Sequence, residues 1–239
     1  MAEVSTDAIS HLTPKPSSRT SRSLKGSARD RLLYLAGPVF AARGFDDVTV
    51  RELAAAADVN VASVGYHFGD KIGLYHAVID AIGTRRRNRL PISSHYESDP
   101  HKRLEKTVGD FLDRLRSDPS NWETQLLMRE IQKPTPVFDK VVRVIFRPQF
   151  DCLVANLQEL SAIKLPRQQY ERTALSLFGQ CVYYATNSSM IRILISAEHQ
   201  NQYFDIRSLT AHIVASTLKT LQDDDFERAS SSRANAPHP

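Results

Sequence analysis

Apolar residues recur three and four apart along most of this chain, and no stretch alternates long enough to make a strand, so the pattern predicts an all-α protein. Leu32, Leu33, Ala36 and Phe40 form the inner face of a first helix, which Ser27 and Asp30 cap and Gly44 ends. Pro38 lies inside it and predicts a bend between Tyr34 and Pro38. Thr49 to Glu52 has the capping-box form, and Val50, Leu53, Ala54 and Ala57 give the second helix its buried side. Asp58-Val59-Asn60 interrupts the pattern, with Asn60 placed as N-cap of a third helix. In that helix Val61, Val64 and Phe68 fall on one side, and Ala62, Ser63, Tyr66 and His67 on the other. Gly69 supplies a stop, and Asp70 caps a fourth helix that presents Lys71 in its first turn. That helix carries Leu74, Val78 and Ile82 inward and ends in Arg85, Arg86, Arg87 and Arg89. This basic end either complements the helix dipole or contacts a DNA backbone.

Beyond the Pro91–Asp99 stretch the helical pattern continues. It predicts helices from Asp99-Pro100 to Arg116, from Ser120 (boxed with Glu123) to Lys133, and from Thr135-Pro136 to about Ile163 with a disturbance at Pro148. Pro166 opens a long helix to about Ser196, and Asp205 caps a last one, Ile206 to Leu221. Glu198-His199-Gln200 reads as a loop near a helix end. Of the 22 residues from Ala174 to Ile195, 14 are apolar and surround the helix rather than striping it, so it needs cover on two sides. A second copy of the chain, pairing through 166–196 and 206–221, is the expected second cover.

The expected organisation is a basic disordered arm over 1–26, a DNA-reading unit over 27–89, a helical regulatory and dimerisation unit over 90–222, and a disordered polar tail over 223–239. Charge agrees with that division. Residues 1–89 hold 13 Lys+Arg against 9 Asp+Glu and the remainder 18 against 18, so the whole net charge of +4 lies in the first part, as a polyanion partner requires. The longest apolar run of the richest helix, Cys181 to Ala185, is far short of the roughly 20 residues that span a bilayer. The start has no apolar signal region, so a cytoplasmic protein is expected. Cys152 and Cys181, read as buried small hydrophobes or, if close in space, as a redox-sensing pair, fit a reducing compartment. No H-E-x-x-H or paired-carboxylate pattern is present, and His95, His101 and His199 have no metal-ligand spacing; no enzyme, metal or cofactor is expected.

The segment from Thr49 to Lys71 carries the chemistry. Two short helices joined by a tight turn form a helix-turn-helix, whose second helix must be slender enough to enter a major groove about 12 Å wide. Ala62, Ser63 and Gly65 let the backbone approach, Tyr66 and His67 reach phosphates or base edges, and Arg51 suits a bidentate contact to guanine.

The run FAARGFDDVTVRELAAAADVNVASVGYHFGDKIGLYHAVI resembles the N-terminal domain of TetR-family transcriptional regulators, and its NVASVGYHF wording resembles the CecR-like branch. LLMREIQKPTPVFDKVVRVIFRP is similar to the C-terminal domain of that branch. The resemblance implies that Thr49, Arg51, Ala62, Ser63, Gly65, Tyr66, His67 and Lys71 stand where family members touch operator DNA. Gly65 departs from the branch's usual asparagine, and Ile72 from a common glutamate. It further implies a two-fold dimer and a cavity for an unidentified small-molecule effector, with Trp122, Met128, Arg129, Phe138, Phe178, Gln180, Tyr184 and Asn187 as lining candidates; without a cavity, Arg129 and Glu130 would form a core or surface pair. The expected function is a sequence-specific regulator, a repressor released from a palindromic operator when the effector binds. The alternative is a sequence-tolerant architectural DNA binder without a ligand.

Overall fold

The computed structural model describes residues 26–89, 97–116 and 121–234, and among these every regular element is helical. The arm over 1–25, most of the expected linker and residues 117–120 lie outside the described residues. Helices α1 (Ala28–Arg43), α2 (Val50–Ala56), α3 (Ala62–Phe68) and α4 (Lys71–Arg89) come first. Then follow α5 (Pro100–Arg116), α6 (Trp122–Gln132), α7 (Phe138–Val141), a π turn (Val142–Phe146) and α8 (Arg147–Leu160). The chain closes with α9 (Arg167–Thr186), α10 (Ser188–Leu194), α11 (Ala197–Tyr203) and α12 (Ile206–Ala234).

The first four helices form where their capping residues stand. Ser27 and Asp30 make a reciprocal capping box on α1, which runs through Pro38 and stops at Gly44 with φ 90°. Tyr34, whose carbonyl loses its partner at Pro38, lies on the exposed side.

Their apolar core does not end with α4. Leu32, Phe40, Leu53, Val64, Leu74, Val78 and Ile82 are continuous with Leu126 and Leu127 of α6, Val137, Val141 of α7 and Ile145 of the π turn. Polar groups close the same seam. Glu130 on α6 is 1% exposed; it accepts from the Tyr75 hydroxyl at 2.6 Å and from the Thr135 hydroxyl at 3.1 Å. Burial, then the neighbouring Glu130 carboxylate, pushes the Tyr75 phenol far above its ordinary range. Glu123, also buried, pairs with Arg85 at 2.7 Å and Arg86 at 3.8 Å. The basic end of α4 is thus partly consumed inside the protein. A second core joins Leu104, Val108 and Leu112 of α5 to Leu153 and Leu157 of α8, Leu177 and Cys181 of α9, and Ile213 and Val214 of α12.

Several elements differ from the expected pattern. Asn121 caps α6, its side-chain oxygen accepting from Glu123 and Thr124; the expected cap Ser120 lies outside the described residues. The disturbance near Pro148 is the π turn, in which the Arg147 N–H reaches the Val142 carbonyl just before a residue that has no N–H to give. The expected helix to Ser196 breaks at Asn187, because Thr186 and Asn187 bond back to the carbonyls of Val182 and Tyr183 and compete with the helical ladder. The segment with Glu198, His199 and Gln200 is helical rather than a loop, capped by Ser196. The final helix passes its expected end at Leu221 and runs to Ala234, with no Gly or Pro to stop it. Cys152 is exposed and not buried; Cys181 is buried, which pushes its thiol up to about 12.

Gly37 marks the tightest approach between α1 and α6. A Cβ there would lie 2.4 Å from the Trp122 ring. Gly37→Ala is expected to destabilise the protein by about 1–3 kcal/mol through overpacking, read as a lower midpoint in urea unfolding; an unchanged midpoint would mean that the α1–α6 seam yields freely.

Candidate nucleic-acid interface

The α2–turn–α3 unit is held by hydrogen bonds that account for its shape. Thr49 Oγ1 accepts from the Glu52 N–H at 3.3 Å, while the Thr49 N–H and hydroxyl each donate to Glu52 Oε2 at 2.8 Å. Arg43 donates to the other oxygen of Glu52 and, at 2.6 Å, to the Asp47 carbonyl. The Arg43 guanidinium first, and Thr49 second, hold the Glu52 carboxyl down at about 2, so it stays charged at neutral pH. The turn itself places Asp58 at φ 51°, a left-handed conformation uncommon outside glycine. Arg31 braces it from α1, donating to the carbonyls of Ala57 at 3.2 Å and Asp58 at 3.3 Å. Asn60 caps α3, accepting from the Ala62 N–H at 2.8 Å.

Val64 is the buried anchor of α3, and the opposite side projects as a narrow ridge. Ala62, Gly65 and Tyr66 are exposed, Tyr66 to 85%, with Ser63 and His67 half-buried beside them. A Cβ at Gly65 would meet nothing within 4 Å. The Tyr66 and His67 rings meet edge-on at 4.8 Å between centroids. Arg51 is exposed on α2, and its side chain makes no hydrogen bond among the described residues. Val61, expected on the packing side, is instead 45% exposed and joins the ridge. Phe68 is half-buried under the guanidinium of Arg29, 5.4 Å from its ring.

Two expected contacts stand differently from the rest. The Thr49 hydroxyl is committed to the α2 cap. Lys71 turns inward, donating to the carbonyls of Phe45 at 2.9 Å and Val48 at 3.0 Å with its ammonium 4.4 Å from the Phe45 ring centre. The α1–α2 loop leaves those carbonyls without backbone partners, and a lysine in the first turn of α4 is the cation within reach. Arg31 and Arg29 were not singled out from sequence. An arginine between apolar positions of α1 was the available signal for Arg31.

The eight expected ligand-lining residues do not converge. Trp122 packs on α1 at Gly37 and under Arg85, while Phe138 on α7 and Met128 on α6 are half-buried. Arg129 is exposed and donates to the Ala42 carbonyl, so it forms no pair with Glu130. Phe178 meets Phe111 with ring centroids 5.3 Å apart in the second core. Gln180 borders a groove of about 100 Å³ with Thr173 and Thr217. Tyr184 borders a cleft of about 270 Å³ formed with α10, α11 and the start of α12. The Asn187 amide donates to the Tyr183 carbonyl at 3.1 Å and ends α9. No group of three or more possible metal ligands occurs among the described residues, and no helix is long and apolar enough to cross a membrane.

A capped helix, a braced turn and a second short helix with a small-residue ridge define a helix-turn-helix of the DNA-binding kind. Comparison with known proteins gives the family. Residues 100–221 match the C-terminal domain of the HTH-type transcriptional dual regulator CecR, and residues 33–78 match the bacterial regulatory proteins of the tetR family. The chain belongs to the TetR family of transcriptional regulators and carries a CecR-type C-terminal domain. Over 56 residues it is 39% identical to the probable HTH-type transcriptional regulator YttP of Bacillus subtilis (strain 168), a match that covers 23% of this chain and 27% of that protein. In fold it is similar to SCO4454, a TetR-family transcriptional regulator from Streptomyces coelicolor, at 17% identity and TM-score 0.60 over 84% of this chain and 91% of that one. It is also similar to AibR, solved with isovaleryl coenzyme A and operator DNA, at 16% identity and TM-score 0.56 over 79% and 97% of the two chains.

Lys71→Ala tests the inward placement. Losing two hydrogen bonds from a charged donor is expected to lower stability by about 1–3 kcal/mol, with the salt dependence of DNA binding unchanged. Unchanged stability together with a shallower salt slope would put the ammonium on a phosphate instead.

Proposed function

We propose that this regulator binds a near-palindromic DNA site as a homodimer and leaves it when a small molecule binds the C-terminal helices. The observation that carries the reading is the ridge of α3: Ala62, Gly65 and Tyr66 project beyond the buried Val64 on a helix whose turn is fixed by Arg31 and Asn60. A small-residue ridge seats in a major groove with little steric cost, Tyr66 and His67 reach the flanking phosphates, and Arg51 reads a guanine edge. Ser63 lies along the same contact. Thr49 serves through its backbone and cap more than through a free hydroxyl, and Lys71 supports the loop above.

Pairing is proposed through α9 and α12. Leu175, 61% exposed, and Tyr183 lie on one stripe of α9 with Gly179, where a Cβ would meet nothing within 4 Å. Ala211 and Ala215 are exposed on α12. Two such pairs make a four-helix interface, and a two-fold axis then presents two α3 ridges to symmetric half-sites. An effector that prefers one arrangement of the two heads weakens DNA binding by that same coupling energy.

Footprinting on fragments selected from genomic DNA tests the reading. A protected near-palindrome at nanomolar protein is expected, and uniform coverage would favour an architectural binder. On the selected site Arg51→Ala is expected to lose about 1–3 kcal/mol, with little change on random DNA. Equal losses on both would remove Arg51 from base reading.

A further inference from the structure

The cleft at the corner of α9, α10, α11 and α12 has an uneven chemistry. Ile191, Phe204 and the Tyr184 ring form an apolar wall, and Arg116 and Arg192 stand at its edge. Arg116, half-buried at the end of α5, uses Nη1 to donate to the Phe204 carbonyl at 2.7 Å. Its Nε and Nη2 have no partner among the described residues. Arg192 is exposed and gives Nη2 to the Ser189 hydroxyl at 3.0 Å. Asp205, an ionised carboxylate that caps α12, also lines the cleft and forms no ion pair with either arginine among the described residues. It accepts from the Ser208 N–H at 2.9 Å and hydroxyl at 2.7 Å, bonds that hold it below the usual carboxylate range. Gln200 ties α11 back to α10 through the Ile195 carbonyl, which fixes the outer wall. What results is a preformed hollow of about 270 Å³ whose lining sets two guanidinium groups against one carboxylate and so keeps a positive charge in excess.

We propose that this cleft binds a small organic carboxylate of about the size of benzoate, its oxygens on Arg116 and Arg192 and its body against Tyr184, Ile191 and Phe204. A guanidinium fork matches a carboxylate in shape as well as charge, and the aromatic wall suits a flat or branched body. Arg116 belongs to the last turn of α5, and the chain continues from there into α6, whose residues share the head's core. Use of the site as the effector site rests on the ligand-released reading above. Binding itself does not.

The test measures binding of benzoate, salicylate and phenylacetate to the full chain by calorimetry, with benzamide, salicylamide and phenylacetamide as neutral counterparts. At least one acid is expected to bind about tenfold or more tighter than its amide, and Arg192→Gln and Arg116→Gln are each expected to remove that preference. Arg192→Lys should keep part of it, and Arg207→Gln, an exposed arginine of α12 outside the cleft, all of it. Because Arg116 also holds the Phe204 carbonyl, the exposed Arg192 variant decides the matter if Arg116→Gln unfolds. Acids that bind no better than amides, or a preference that survives Arg192→Gln, would overturn the proposal. Adding the best acid to protein bound to its selected DNA fragment separates the two claims: preference without release leaves the binding site standing and removes its use as the effector site.

Discussion

A four-helix head of about 60 residues is marginal in the apolar surface it can bury by itself, and the rest of the structure follows from how it borrows more. Its core runs without a break from α1 and α4 into α6, α7 and the π turn. Inside that seam two carboxylates, Glu123 and Glu130, are taken out of water. Unpaired, such groups would cost several kcal/mol each, but Arg85, Arg86, Tyr75 and Thr135 meet them. The head is therefore seated by paired polar groups as well as by packing. A firm seat lets α3 show a nearly bare ridge to solvent: Val64 alone is fully buried on that helix, and the energy that orients it comes from its neighbours.

The second core has a different office. Helices α5, α8, α9 and α12 close around Leu104, Leu157, Leu177 and Ile213, leaving one face of α9 and α12 lined with small and apolar side chains. Hydrogen bonds and ion pairs across helices tie each assembly together within itself. Arg103 joins α5 to Asn156 and Glu159 of α8, and Lys140 joins α7 to Asp80 of α4. The π turn, with Ile145 in the first core, runs directly into α8, which carries Leu153 and Leu157 in the second. A non-standard turn at the join between two packed bodies is a natural place for small angular change.

Most of the head was legible in the sequence because its instructions are local. Capping boxes at Ser27 and Thr49, the Asn60 and Asp70 caps and the glycine stops each act within three or four residues, and each forms as the sequence implies. The body was less legible because its decisions are made at a distance. Nothing near Glu130 in sequence announces Tyr75, and nothing near Lys71 announces the carbonyls of a loop 23 and 26 residues earlier. The break at Asn187 and the cap at Asn121 turn on whether a short polar side chain bonds to its own backbone, a contest that propensity alone does not decide. The expected cavity residues had the right chemistry and stand at separate places, since an aromatic at helical spacing serves a core as readily as a pocket.

Native-state hydrogen exchange on the full chain addresses the shared core most directly, because amides that open together report one cooperative unit. The account predicts that slow amides of α1, α4 and α6 share a single opening free energy, distinct from that of α5, α8, α9 and α12. If α6 instead opened with α5 and α9 while α1 and α4 opened on their own, the head would not be seated in the way described, and the orientation of α3 would need another cause.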